Sequence, residues 1–234
     1  MTTEPIRTLP TPGRRLGVLI SGRGSNLQAI LDAIETGSLN AEVALVFSNR
    51  RKARGLEIAK SYGVPTAVLS HRAFPDRETY DAEIVELLRQ HGADVVCLAG
   101  FMRIVSPVLL NAFPDRVLNI HPSLLPAFKG LDAPCQALDY GVRIAGCTVH
   151  FADETLDTGP VLLQAAIRVH DDDTHETLTQ RILTLEHQIY PRAIGLLLDG
   201  GIRRLGRRIL LSEAAERAAA EIHTESERKP TYAQ

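Results

Sequence analysis

Through the first half of the chain, short apolar runs alternate with segments whose apolar positions recur every three to four residues. Leu16 to Ile20 is one such run, and Leu27, Ile30, Leu31 and Ile34 follow it at helical spacing behind Ser25. That pattern predicts a strand, a tight turn and a helix. Glu42 to Ser48 (EVALVFS) predicts a second buried strand, Arg54 to Tyr62 a helix, and Pro65 to Leu69 a third strand. A helix over Asp76 to His91 carries Tyr80, Ile84, Leu87 and Leu88 on one face. Asp94 to Ala99 gives a fourth strand and Arg116 to Ile120 a fifth, after a short helix around Leu109. Apolar strands alternating with amphipathic helices imply a parallel sheet covered on both sides. The expected fold class is therefore α/β, Rossmann-like and doubly wound, with a mostly parallel sheet and helices on both faces. Ligands of such sheets bind at the carboxyl ends of the strands, so the chemistry is expected in the turns there.

Beyond Pro134 the pattern changes. A helix precedes two longer strands, Ile144 to Phe151 and Val161 to Val169, and a further helix carries Leu178, Ile182, Leu185 and Ile189. No internal repeat is present. Residues 1–13, rich in Pro and Thr, read as a flexible N-terminal extension, 14–205 as a single domain, and 206–234 as a polar, helix-prone or frayed tail. Arg203, Arg204, Arg207 and Arg208 read as a solvated face.

Composition narrows the class without naming a function. In 234 residues, 44% are hydrophobic and 23% charged, which excludes wholesale disorder, collagen-like and coiled-coil architectures. A formal net charge of -2 argues against nucleic acid as a partner but leaves a small anionic ligand compatible. Cys97, Cys135 and Cys147 lack C-x-x-C spacing and are odd in number, so reduced thiols in the cytoplasm are expected rather than disulfides or a zinc site. The opening MTTEPIRTLPTPGRR has no apolar core of a signal peptide, and no run reaches the roughly 18 apolar residues of a membrane span.

Two stretches and one loop carry candidate chemistry. Ser21-Gly22-Arg23-Gly24-Ser25-Asn26 lies between a strand and a helix, where glycines admit an anion to the backbone and the helix N-terminus offers free N–H groups. Leu27 occupies the third glycine position of the dinucleotide fingerprint and the second strand ends in Ser48-Asn49-Arg50, so a monophosphate is favoured over NAD. A turn in which Ser25 merely caps the helix is the competing reading. Further on, Asn119 and His121 alternate by two before Pro122, which turns both side chains to one face of an extended strand end. Satisfied structural residues would show the same pattern. In the acidic loop 150–160, Asp157 could supply the carboxylate that fixes a histidine's charge and tautomer, or could only form the turn before Thr158-Gly159-Pro160. His121, His150 and Asp157 with Cys147 match no standard metal spacing, and no metal is expected. Lys129 and Gly130 within residues 128–134 suggest a cationic lid, against the plainer reading of a surface loop.

Taken in order, SGRGSNLQAI, FSNR, LAGFMRIVSP, LNIHPSLLPAFKGLDAPCQAL, GCTVHFADETLDTGPVLLQ and LEHQIYP resemble the phosphoribosylglycinamide formyltransferases, folate-dependent enzymes of de novo purine biosynthesis. The resemblance runs from Leu16 to Gly200, about four-fifths of the chain. It implies a formyltransferase fold and transfer of a formyl group from 10-formyltetrahydrofolate, a co-substrate, to 5′-phosphoribosylglycinamide. It implies catalytic roles for Asn119, His121 and Asp157, with Asn119 also touching the folate. Gly24, Ser25 and Asn26 would cradle the phosphate, and Glu186 would contact the glycinamide. Arg77, Met102, Arg103, Ile104 and Val105, with Asp153, Glu154, Thr155 and Leu156, match folate-binding positions. Arg23 departs from the Asn frequent in the family, and the Arg-rich tail also departs, leaving a homodimer open.

Other classes fit less well. Formyltetrahydrofolate deformylases share the NIH and LDTGP segments but carry an extra N-terminal domain and lack the GRGSN-type turn. Methionyl-tRNA formyltransferases add a C-terminal RNA-binding domain. A non-catalytic phosphate- or folate-binding module has no need of Asn119, His121 and Asp157 together. Small-molecule substrates, without nucleic acid or membrane, are the expected partners.

Overall fold

The computed structural model describes residues 5–217. In chain order these form β1 (Arg7–Thr8), β2 (Arg15–Ile20), α1 (Ser25–Glu35), β3 (Glu42–Ser48), α2 (Gly55–Ser61), β4 (Thr66–Val68), α3 (Arg77–Gln90), β5 (Val95–Leu98), α4 (Pro107–Ala112), β6 (Val117–His121), α5 (Ala133–Tyr140), β7 (Ile144–Phe151), β8 (Val161–Arg168), α6 (His175–Asp199), β9 (Arg203–Leu205) and β10 (Arg208–Leu210). A seven-stranded sheet has the order β4-β3-β2-β5-β6-β7-β8. Pairing is parallel from β4 through β6 and antiparallel for β6–β7 and β7–β8. The doubly wound, mostly parallel α/β sheet is thus as expected.

Period-two alternation in the central strands divides the core between the two faces. Leu16, Val18 and Ile20 of β2 pack with Leu27, Ile30 and Leu31 of α1 and the apolar stripe of α6, while Leu19 joins Leu45, Phe47 and Val96 beneath Tyr80, Ile84 and Leu88 of α3. Helix starts are locally encoded: Asp76 caps α3 by accepting from the Thr79 N–H at 2.7 Å, and Thr174 forms a capping box with Thr177 at the head of α6.

Two expectations about the chain ends need correction. Arg7–Thr8, placed in a flexible extension, pairs antiparallel with β9, and Leu9 beside it is buried. Residue 205, expected as the domain edge, falls inside the β9–β10 hairpin. Strands of two or three residues rich in arginine carry no alternation to detect; pairing and charge hold them instead. Arg7 and Arg204 both engage the Asp115 carboxylate, so Arg204 is not merely solvated. The tail beyond 217 and residues 1–4 lie outside the described residues.

Candidate active site

A cavity of about 710 Å³ opens at the carboxyl ends of β2, β5 and β6 and extends to the β7–β8 connection. At one end lies the turn that leads into α1. Gly24 is the cap residue of α1 with φ 80°, and a Cβ there would come within 2.5 Å of the Gly55 Cα. Only glycine meets both demands. Ser25 does not cap the helix: it is the first helical residue, no side chain caps α1, and its first turn holds no acid. The free N–H groups and the positive end of the helix dipole are left for an anion.

Glu186 reaches the same end from α6. It sits four residues after Ile182 and three before Ile189, inside the stripe that buries this helix, so its carboxyl is carried below the surface. Its only described hydrogen bond comes from Asn26 Nδ2, at 2.7 Å. Burial pushes the Glu186 carboxyl up to about 7, opposed by that hydrogen bond and by the charge of Arg23. Asn26 Oδ1 is buried and finds no partner among the described residues.

The other end is built where the sheet turns antiparallel. β6 and β7 align Asn119 with His150 and His121 with Thr148, and of these four Asn119, His121 and His150 line the cavity. Asp157 closes it from the β7–β8 connection, in the left-handed region with φ 52°. Its Oδ2 lies 3.3 Å from His121 Nδ1 and accepts from the Gly130 N–H at 2.9 Å, and its Oδ1 lies 3.4 Å from Asn119 Nδ2. His121 Nε2 faces the Phe128 carbonyl oxygen at 2.9 Å. Both ring nitrogens of His121 thus face oxygen atoms.

His150 was considered from sequence only as a metal ligand, and among the described residues no three His, Cys, Asp or Glu side chains are arranged to hold a metal ion. The structure gives it a different place. Its Nδ1 faces its neighbour's carbonyl, Phe151 O, at 2.9 Å and must donate; Nε2 is then an acceptor and takes the Asn119 amide at 3.1 Å. Burial lowers the His150 pKa, which favours the neutral ring in which Nε2 is an acceptor. The Asn119 amide is thereby oriented with its NH2 toward His150 and Asp157. The signal that could have found this is the cross-strand pairing of Asn119 with His150, invisible until the register of β6 and β7 is known.

Between the two ends the wall is apolar and uncovered. Met102 (57% exposed), Ile104 (42%), Leu131 (73%) and Leu156 (47%) all line the cavity. Of these, Leu131 was not singled out from sequence. Apolar side chains gathered unburied around one cavity suit a flat, largely apolar ligand. Arg103, also on the wall, lies with its guanidinium carbon 5.1 Å from the centre of the Tyr80 ring. Gly24, Ser25, Asn26, Glu186, Asn119, His121, Asp157, Met102, Arg103, Ile104, Val105, Asp153, Thr155 and Leu156 are therefore brought together on one cavity. Arg77 and Glu154 are not on its wall: Arg77 opens α3 beside Glu78, and Glu154 is exposed. Cys135, at the start of α5, is on the wall and half-buried, whereas Cys97 and Cys147 are fully buried.

Comparison with known proteins follows the same residues. Residues 14–194 match the formyl transferase family. The phosphoribosylglycinamide formyltransferase of Escherichia coli (strain K12) is 47% identical over 186 residues, covering 80% of this chain and 88% of that protein. The trifunctional purine biosynthetic protein adenosine-3 of Drosophila pseudoobscura pseudoobscura is 48% identical over 85% of this chain, which spans only 15% of that longer protein. The crystal structure of glycinamide ribonucleotide transformylase 1 from Symbiobacterium toebii superposes with a TM-score of 0.83 at 52% identity, covering 86% of this chain and 95% of that one. With a family match over residues 14–194 and a bacterial relative 47% identical and covered over 88% of its length, the chain belongs to the formyl transferase family, among its phosphoribosylglycinamide formyltransferases.

Proposed function

We propose that this chain transfers the formyl group of 10-formyltetrahydrofolate to the amine of 5′-phosphoribosylglycinamide, giving the formylated amide and tetrahydrofolate in purine biosynthesis. The observation that carries the reading is the shared cavity: an uncapped helix start and a buried acid at one end, and Asn119, His121 and Asp157 at the other. The phosphate would sit on Gly24, Ser25 and Asn26, and the glycinamide would complete Glu186. The folate would lie on Met102 to Val105 and on the segment Asp153 to Leu156, with Arg103 available to an acidic tail.

In this arrangement the neutral amine nitrogen attacks the formyl carbon, forming an N–C bond and a tetrahedral oxyanion. Asn119 Nδ2 and His121 Nε2 are the donors for that oxyanion, and a donor so aimed is worth about 10²–10³ in rate. The contact of 3.4 Å between Asn119 and Asp157 is the weaker of the two amide contacts and the one an oxyanion would replace. Asp157 holds His121 by Nδ1, so that Nε2 points inward, and relays the proton lost by the attacking nitrogen. Collapse of the oxyanion breaks the bond to N10, which leaves with a proton. His121 Nε2 is engaged by Phe128 O in this state, so turnover asks the 128–134 segment to give way. Three thiols without disulfides fit a reducing cytoplasm.

Conversion of 10-formyltetrahydrofolate by the purified protein, with and without 5′-phosphoribosylglycinamide, tests the reading. Turnover dependent on the amine and yielding its formyl amide is expected. Formate release without the amine would replace the transferase with a deformylase, and no turnover in either case would leave a binding module.

A further inference from the structure

The arginine-rich segment near the C-terminus is unused by the chemistry above, yet it touches the loop that carries Asp157. Within the β9–β10 hairpin, Arg204 Nε donates to the Gly206 carbonyl at 2.8 Å, and Arg204 Nη1 donates to Asp115 Oδ1 at 2.8 Å, which ties the hairpin to the turn before β6. At the tip of the hairpin, the Arg207 guanidinium donates to the carbonyl oxygen of Thr158, the residue after Asp157.

The loop needs such ties. Asp157 is held in a backbone conformation that L-residues adopt at a cost, and it persists only where the surroundings over-determine it. On the upstream side, Asp153 accepts from the Thr158 hydroxyl at 2.7 and 2.9 Å and from the Thr155 N–H at 3.2 Å. Downstream, Gly159 lies against the Phe151 carbonyl, where a Cβ would come within 1.6 Å of the oxygen. Between those two fastenings the Thr158 carbonyl would face solvent, and Arg207 is the one described side chain that holds it.

We infer that Arg207 is a positioning residue for the transfer reaction: by holding the Thr158 carbonyl, the C-terminal hairpin fixes the turn that aims the Asp157 carboxylate at His121 and Asn119. The inference rests on the catalytic reading of Asp157. It deepens that reading by giving the hairpin a part in catalysis without contact with either substrate.

Steady-state kinetics on R207A, R207K, R208A, D157N and the double variant R207A/D157N test it, with thermal midpoints in parallel. R207A is expected to lower kcat about tenfold with KM for both substrates within about twofold, because a small misplacement of a catalytic group costs rate rather than binding. R207K, which restores one donor, should recover most of the loss. R208A removes the same charge from the same hairpin without the contact and should leave kcat unaltered. In the double variant kcat should equal that of D157N alone, since a mispositioned carboxylate that is already gone has nothing left to lose. Wild-type kcat in R207A, a loss additive with D157N, or a rise confined to KM for the formyl donor would each overturn the inference. Should R207A lose its fold, R207M, which keeps the stem and deletes the donors, carries the same test. Wild-type kcat in D157N would instead refute the role of Asp157 itself, whatever Arg207 does.

Discussion

At the α1 end of the cavity, Glu186 has a single hydrogen-bond donor among the described residues, Asn26, and Asn26 keeps a buried oxygen with no described partner. At the β6–β7 end, both nitrogens of His121 and of His150, the amide nitrogen of Asn119 and both oxygens of Asp157 all face partners. Both ends are buried, so burial is not what separates them. An underpaired polar group in a low-dielectric setting is costly, and a ligand that pairs it recovers that cost as affinity. A network whose donors are paired instead holds them in one orientation before the substrate arrives, which is what stabilisation of a developing charge requires. On the proposed function, one end of the cavity would supply affinity and the other rate.

If that division is right, substitutions at the two ends must separate kcat from KM. The largest effect is expected from Asp157→Asn, which keeps shape but removes the charge that holds His121: kcat should fall roughly 10³-fold, with KM for the amine substrate little changed. Asn119→Ala should follow, with kcat down about 10²-fold and KM again little altered. A matching rise in KM in either variant would break the comparison.

At the other end, Glu186→Gln should raise KM for 5′-phosphoribosylglycinamide by about tenfold while kcat at saturation changes little. The same substitution has a signature in stability. The Glu186 carboxyl binds its proton more tightly in the folded protein, at about 7, than at its ordinary 4.5, so the fold loses stability as pH rises through that window. Glu186→Gln removes the loss. Its stability relative to wild type, from urea unfolding, should therefore improve by about 2 kcal/mol between pH 5 and pH 8.5. An unchanged difference at the two pH values would mean that Glu186 is not carried as a neutral acid. The smallest effect is expected from His150→Gln, whose part is to orient the Asn119 amide: kcat should fall about fivefold to tenfold, and a kcat fall as deep as that of Asn119→Ala would make His150 more than an orienting group.

The two ends also differ in how far they could be foreseen. Strands β2, β3, β5 and β6 announce themselves as apolar runs because both their faces are buried, and the turn into α1 follows from its glycines and its place between a strand and a helix. Asn119 and His121 show their shared face by alternation alone. Their partners come from elsewhere in the chain. His150 meets Asn119 only through the antiparallel register of β6 and β7, and Asp157 meets His121 only through a left-handed turn. Nothing local in RRLGRRIL signals strands, since pairing with Arg7–Thr8 and the Asp115 carboxylate is what orders it. Positions that belong to one element were legible; of those defined by a contact between two elements, Asp157 was legible as a carboxylate for a histidine, but not which histidine it meets, and the place of His150 was not legible at all.

One wall residue has a practical use. Of the three thiols, Cys97 and Cys147 are sealed in the core, and burial pushes the Cys97 thiol up to about 12. Cys135 stands half-buried on the cavity wall. A thiol-directed dye or a fluorine-bearing alkylating agent should therefore mark one place on the native protein, on the wall of the cavity proposed to hold the substrates. The chain comes with a single built-in reporter of occupancy, available without engineering a new cysteine or removing the old ones.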